Sequence, residues 1–115
     1  WYLYWFSCWQ FTFKNNYINL TTSNQDLVPA ITGTGIVLTL RATNVDGAAD
    51  ATVTVEVVDG SSGDAKIAST MFVPADSSIE LAGTSKLVLE NGDKVQGLAS
   101  ATGDIEVFAS YLVIT

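Results

Sequence analysis

The sequence predicts an all-β fold, a single antiparallel β-sandwich of jelly-roll or immunoglobulin-like type, with an extended N-terminal arm. Three observations carry that expectation. From Tyr17 onward apolar and polar residues alternate with period two, in windows rich in Val, Ile and Thr, the residues that fit a pleated and half-buried surface. Turn chemistry interrupts these windows at intervals of about eight to twelve residues, the spacing of a sandwich or small barrel. No stretch of useful length after Tyr17 carries helical periodicity. At 115 residues the chain suits one domain and is too short for two independent cores.

The elements follow in order. Residues 1–13, WYLYWFSCWQFTF, hold all three tryptophans, three of the five phenylalanines and the single cysteine. That composition break divides the chain into an aromatic-rich arm or first strand (1–16) and a sandwich (17–115). Trp9, Phe11 and Phe13 alternate with Gln10, Thr12 and Lys14, the period of a half-buried strand. Two placements stay open: an arm laid against a neighbouring subunit, or a first strand packed on its own domain. The apolar run falls short of the ~20 residues of a membrane helix and is interrupted by Ser7, Cys8 and Gln10. It also lacks the basic start and small-residue cleavage site of a signal peptide.

Residues 24–35 are polar, carry Pro29, Gly33 and Gly35, and read as a connection. A strand over 36–43 is expected to bury Ile36, Leu38, Leu40 and Ala42 and to turn Val37, Thr39, Arg41 and Thr43 outward. Asn44-Val45-Asp46-Gly47 closes it. The strand over 51–58 is expected to bury Ala51, Val53, Val55 and Val57, with Thr52, Thr54 and Glu56 outward. Residues 59–64 (DGSSGD) form a loop, 65–73 a further strand, and Pro74 stops it because proline cannot donate to a ladder. Short strands over 77–81 and 86–89 flank the turn at Ala82-Gly83. Asn91-Gly92 tolerates the positive φ of a type I′ turn, which predicts a hairpin between 87–90 and 93–101. Thr102-Gly103-Asp104 repeats the device before a last strand over 105–114.

Composition excludes several kinds of chemistry. The absence of histidine removes the commonest general base, metal ligand and pH switch. One cysteine, Cys8, permits no intrachain disulfide framework or zinc-type cluster, and amid aromatics it reads as a small buried hydrophobe. With 5 basic against 12 acidic residues, the net charge of −7 disfavours both phosphate backbones and anionic membranes. The local nucleophile–lysine pairs, Ser85 with Lys86 and Ser69 with Lys66, lack the spacing of a catalytic dyad. Asp46, Asp50, Asp59, Asp64, Asp76, Asp93 and Asp104 fall almost entirely in turns, where Asp is expected to bind backbone amides. Asp46 with Asp50, or Asp59 with Asp64, could offer calcium oxygen ligands, but no calcium-loop repeat accompanies them. No phosphate-binding glycine loop is present. Asn19-Leu20-Thr21 matches the N-glycosylation pattern, which is frequent by chance. The expectation is therefore no catalytic residue, no metal and no cofactor.

Charged residues are 15% of the chain against about 25% in ordinary domains, and mean hydropathy is positive. Such a surface either belongs to a well-filled sandwich coated with Ser, Thr and Gly or faces a partner. The N-terminal concentration of aromatics favours the partner, with Trp1, Tyr2, Tyr4, Trp5, Phe6, Trp9, Phe11 and Phe13 as candidate interface residues.

The stretch 42–114 resembles small structural proteins of tailed-bacteriophage virions. The likeness lies in ATNVDGAADATVTVEVVD, IASTMFVPADSSIEL and KLVLENGDKVQGLASATGDIEVFASYLVI, about two-thirds of the chain; the aromatic start has no counterpart in it. The resemblance implies a non-enzymatic virion component, foremost a capsid cement or decoration protein bound to the major capsid protein. A homo-oligomer is expected with it, a trimer as first guess, because cement proteins often occupy local three-fold points. Alternatives are a tail, neck or fibre component, or a carbohydrate-binding sandwich module using exposed aromatics and loop acids.

Overall fold

The computed structural model describes residues 9–60, 63–82 and 86–115, and every regular element among them is a strand. In chain order these are β1 (Phe11–Asn19), β2 (Gln25–Val28), β3 (Thr34–Asn44), β4 (Ala51–Asp59) and β5 (Gly63–Val73). The remainder are β6 (Ser78–Glu80), β7 (Leu87–Leu89), β8 (Lys94–Ala99) and β9 (Ile105–Ile114). They form two antiparallel sheets, one ordered β1-β9-β3-β6 with β7 also on β3, the other β2-β8-β4-β5.

That order distinguishes between the two sandwich types the sequence allows. The first strand lies beside the last, and the second beside the last but one. β6 pairs with Arg41–Thr43 of β3 and β7 with Gly35–Val37, so the two short strands share one strand position. Eight positions in two nested Greek keys are a jelly roll.

The sheets face each other across a dry core. Val37, Leu40, Ala42, Val107 and Ala109 from the first sheet meet Leu27, Val28, Val53, Val55 and Val95 from the second. Each large side chain taken fully out of water contributes about 1.5–3 kcal/mol against chain entropy. β4 buries Ala51, Val53 and Val55, as its alternation predicts, and half-buries Val57.

Five expectations need correction. Residues 24–35, expected as a connection, contain β2, whose Leu27 and Val28 enter the core, and the start of β3. Glu56, expected outward, is buried beside Gln96 and Lys66. The other three concern register and turns. In β3 the buried set is Val37, Leu40 and Ala42, while Ile36 and Leu38 are only half-buried. A β-bulge sets two β3 residues, from Val37 to Thr39, against a single β9 step from Tyr111 to Ser110, which reverses the facing of everything before it. Second, Asn91-Gly92 closes no hairpin, because β7 belongs to the first sheet and β8 to the second. Only Gly92 has positive φ, and the Asp93 amide donates to the Glu90 carbonyl at 3.0 Å. The tight turn therefore carries the chain across the core from one sheet to the other. Third, Thr102-Gly103-Asp104 likewise passes from β8 to β9, in opposite sheets.

The sheet margins are unequal. Outermost β5 is broken by register irregularities at two places, and Thr70 within it has φ of 50°. β2 is four residues long with its own irregularity, and β6 and β7 have three residues each. Short or bulged margins of this kind resist pairing with other chains. β1 is different: nine residues in unbroken register with β9.

Candidate functional site

The candidate surface is built on β1 and its neighbours. β1 inverts the usual strand pattern: Phe11, Phe13 and Tyr17 project outward, while Thr12, Lys14, Asn16 and Ile18 line the side toward the second sheet. Of these, the Asn16 amide donates to the Leu27 carbonyl at 3.0 Å. Phe13 and Tyr17 keep 74% and 80% of their surface exposed, and Trp9 and Phe11 are similarly open.

Strand register extends this apolar row across the sheet. Phe13 stands opposite Leu112, Leu112 opposite Ile36, and Ile36 opposite exposed Val88. Phe11 stands opposite Ile114 beside it, and Tyr17 opposite exposed Phe108. The result is an apolar face spanning four strands, β1, β9, β3 and β7. Aromatic side chains presented this way, with few rotors and large area, are typical anchors of protein interfaces.

Of the eight residues expected at an interface, Trp9, Phe11 and Phe13 fall on this face; Trp1, Tyr2, Tyr4, Trp5 and Phe6 lie outside the described residues. Sequence reading missed Tyr17, Phe108, Leu112, Ile36 and Val88. Tyr17 was detectable, since it continues the i, i+2 row of Phe11 and Phe13. The division at residue 16 cut through β1 and separated it from them.

Of the acidic residues weighed as ligands, Asp46, Asp50 and Asp93 accept backbone amides. Asp46 Oδ1 accepts the amides of Ala48 at 2.8 Å and Ala49 at 3.1 Å, which hold its carboxyl below the ordinary value of 3.8. Asp50 accepts the Ala75 amide at 3.0 Å. Asp59, Glu90 and Asp93 bring carboxylate oxygens within 4.8 Å of one another. There the buried Asp93 accepts Gly60 N–H at 3.1 Å through Oδ1 and Glu90 N–H at 2.9 Å through Oδ2, tying the 59–60 and 90–93 turns together. Lys66 lies 3.6 Å from Glu56 in an ion pair. Ser85 lies outside the described residues. A cleft of roughly 270 Å³ opens beneath β1, lined by Thr12, Lys14, Pro29, Ile31, Tyr111 and Val113. Lys14 is its one charged wall, and burial pushes the Tyr111 hydroxyl pKa up.

No protein-family model and no curated protein matches the sequence. Among solved structures the chain is similar to a protein of Bacillus endospore appendages, a family of disulfide-linked pili. That likeness has a TM-score of 0.54 and 13% identity, and it covers 91% of this chain and 87% of that one. A pentameric capsid protein from metagenomic phage sequences aligns with TM-score 0.47 and 17% identity, over 84% of this chain and 58% of its own. At such identities the likeness is one of fold. The strand order defines the class, a small jelly-roll domain.

Proposed function

We propose that this chain is a non-enzymatic structural protein of a tailed-phage virion, a capsid decoration protein held in place by the outer face of its first sheet. The observation that carries the reading is the four-strand apolar row Phe13–Leu112–Ile36–Val88, flanked by Phe11, Tyr17 and Phe108. A free-standing sandwich gains nothing by turning these groups to water, whereas docking recovers about 1.5–3 kcal/mol for each large side chain it covers. The jelly-roll topology and the phage-like progression through 42–114 support the same reading.

The test uses particles whose genome encodes this chain, purified by density gradient. The chain is expected to co-purify in fixed proportion to the major capsid protein, and gold-labelled antibody is expected to decorate heads. Label confined to tails would move the assignment to a tail, neck or fibre role. Absence from purified particles would overturn the virion reading.

A second reading has its own support: the pilus subunit is similar over nearly the whole of both chains. In that case the chain is a repeating filament subunit. Filaments formed by the isolated recombinant protein, seen by electron microscopy, would favour it over particle decoration.

A further inference from the structure

Among the described residues only β9 pairs with β1, and the outer margin of β1 has a geometry that fits one partner closely. Gln10 and Thr115 exchange both backbone hydrogen bonds, each at 2.9 Å, so they form a hydrogen-bonded pair. Along an unbroken antiparallel ladder such pairs alternate with non-bonded ones. Thr12, Lys14, Asn16 and Ile18 therefore spend their amides and carbonyls on β9. Phe11, Phe13, Asn15, Tyr17 and Asn19 direct theirs away from the sheet. The same residues carry the outward side chains.

We propose that β1 pairs antiparallel with β1 of a second copy of this chain about a two-fold axis, joining two sheets into one. Only odd-numbered residues offer free backbone groups, so two odd residues must stand opposite, and three registers come near full overlap. Placing Lys14 on the axis sets two ammonium groups face to face, which is destabilising. Placing Asn16 on the axis leaves Phe11 and Thr12 of each strand with no partner inside the other strand and takes one aromatic out of the ladder. Placing Asn15 on the axis pairs all nine residues. Phe11 then faces Asn19, Phe13 faces Tyr17, Thr12 faces Ile18 and Lys14 faces Asn16, with no like charges opposed. Both aromatic pairs lie on the outer face, where cross-strand aromatic contacts add to the ladder.

Charge and strand length together argue for a copy of the chain at this margin. The molecule carries −7, yet the first acidic residue is Asp26, and β1 holds a single charge, Lys14. Two strongly acidic molecules approach more closely through a margin strand that bears no acid, as β1 and the three-residue β7 do. The other margins are bulged or short, so β1 alone offers a long straight template. This inference deepens the structural reading and rests on it, naming the partner; a contact that closes at two copies does not by itself build a filament.

The test is the solution mass of the full chain by light scattering. A dimer of twice 12.2 kDa is expected. Asn15→Lys places two cations on the axis and is expected to shift the mass to monomer with circular dichroism unchanged. Ser69→Lys, on the bulged margin, is expected to remain dimeric. A second variant guards against misfolding: Asn15→Cys in a Cys8→Ser background should give a covalent dimer under mild oxidation, because the paired Cα atoms sit about 5.5 Å apart. A monomeric or trimeric parent, a dimer indifferent to Asn15→Lys, or no cross-link at position 15 would each overturn the proposal. None of these results depends on whether the chain is found in particles, so the two readings fail separately.

Discussion

Asn44 shows what single residues contribute here. It is fully buried at the end of β3 and fulfils every demand of that burial. Its amide donates to the carbonyls of Ala49 at 2.9 Å and Val73 at 3.0 Å, and its oxygen accepts the Asp46 amide at 3.0 Å. Asn44→Ala leaves two carbonyls and an amide unmatched in the interior and is expected to cost about 2–3 kcal/mol in chemical denaturation. Asp46, next to it, gives a pH effect whose sign is fixed. The Ala48 and Ala49 amides lower its folded pKa below the ordinary 3.8, so its contribution is present above that value. It is lost as pH falls through the lowered folded value. The protection of the Ala48 and Ala49 amides, measured against their intrinsic exchange rates, is expected to fall in that acid window, and Asp46→Asn is expected to abolish that fall. Sequence reading assigned Asp46 correctly to turn chemistry. Asn44 was read as a turn residue only, because nothing in its neighbours announces that β3 runs on to carry it into the core.

At the scale of elements, legibility followed regularity. β4 alternates from Ala51 to Val55, and that buried face was readable from Ala51, Val53 and Val55; the alternation ends at Glu56, which is buried beside Gln96 and Lys66. β3 was misread over its first half because one bulge shifts the phase, and a period count has no means of seeing an extra residue. The difference can be checked directly. Val37→Asp puts a charge in the core and is expected to prevent folding, while Ile36→Asp, on the outer face, is expected to preserve native circular dichroism. Folding of Val37→Asp would remove the bulge from the account. Asn91-Gly92 and Thr102-Gly103 were legible as turns but not as crossings between sheets. A hairpin and a sheet-to-sheet passage use the same residues, and only the pairing partners of the flanking strands separate them. The aromatic face was half legible: the alternation of Trp9, Phe11 and Phe13 gave the strand, but its period is the same whichever face turns inward.

For the whole molecule, the charge distribution sets how copies meet. All twelve acidic residues lie from Asp26 onward, leaving β1 free of negative charge on a body carrying −7. Association through β1 brings two bodies of like sign together, so mobile ions should favour it. Sedimentation equilibrium is expected to show the dimer fraction rising as salt is raised toward physiological strength. A fall with added salt would indicate a contact held by opposite charges elsewhere. Net charge and the acid-free start were plain in the sequence. Which margin stays open was not, because it depends on the bulges of β5 and on the splitting of β6 from β7.

The irregularity of β5 has a consequence for stoichiometry. A molecule with one usable margin has a valence of one, and a two-fold contact saturates it; the sheet stops at two copies instead of propagating into a fibre. Such a pair presents both aromatic surfaces on the same side of a rigid slab. A lattice of identical binding points would then be gripped twice, and the second grip comes with the high effective concentration of a tether that cannot flex.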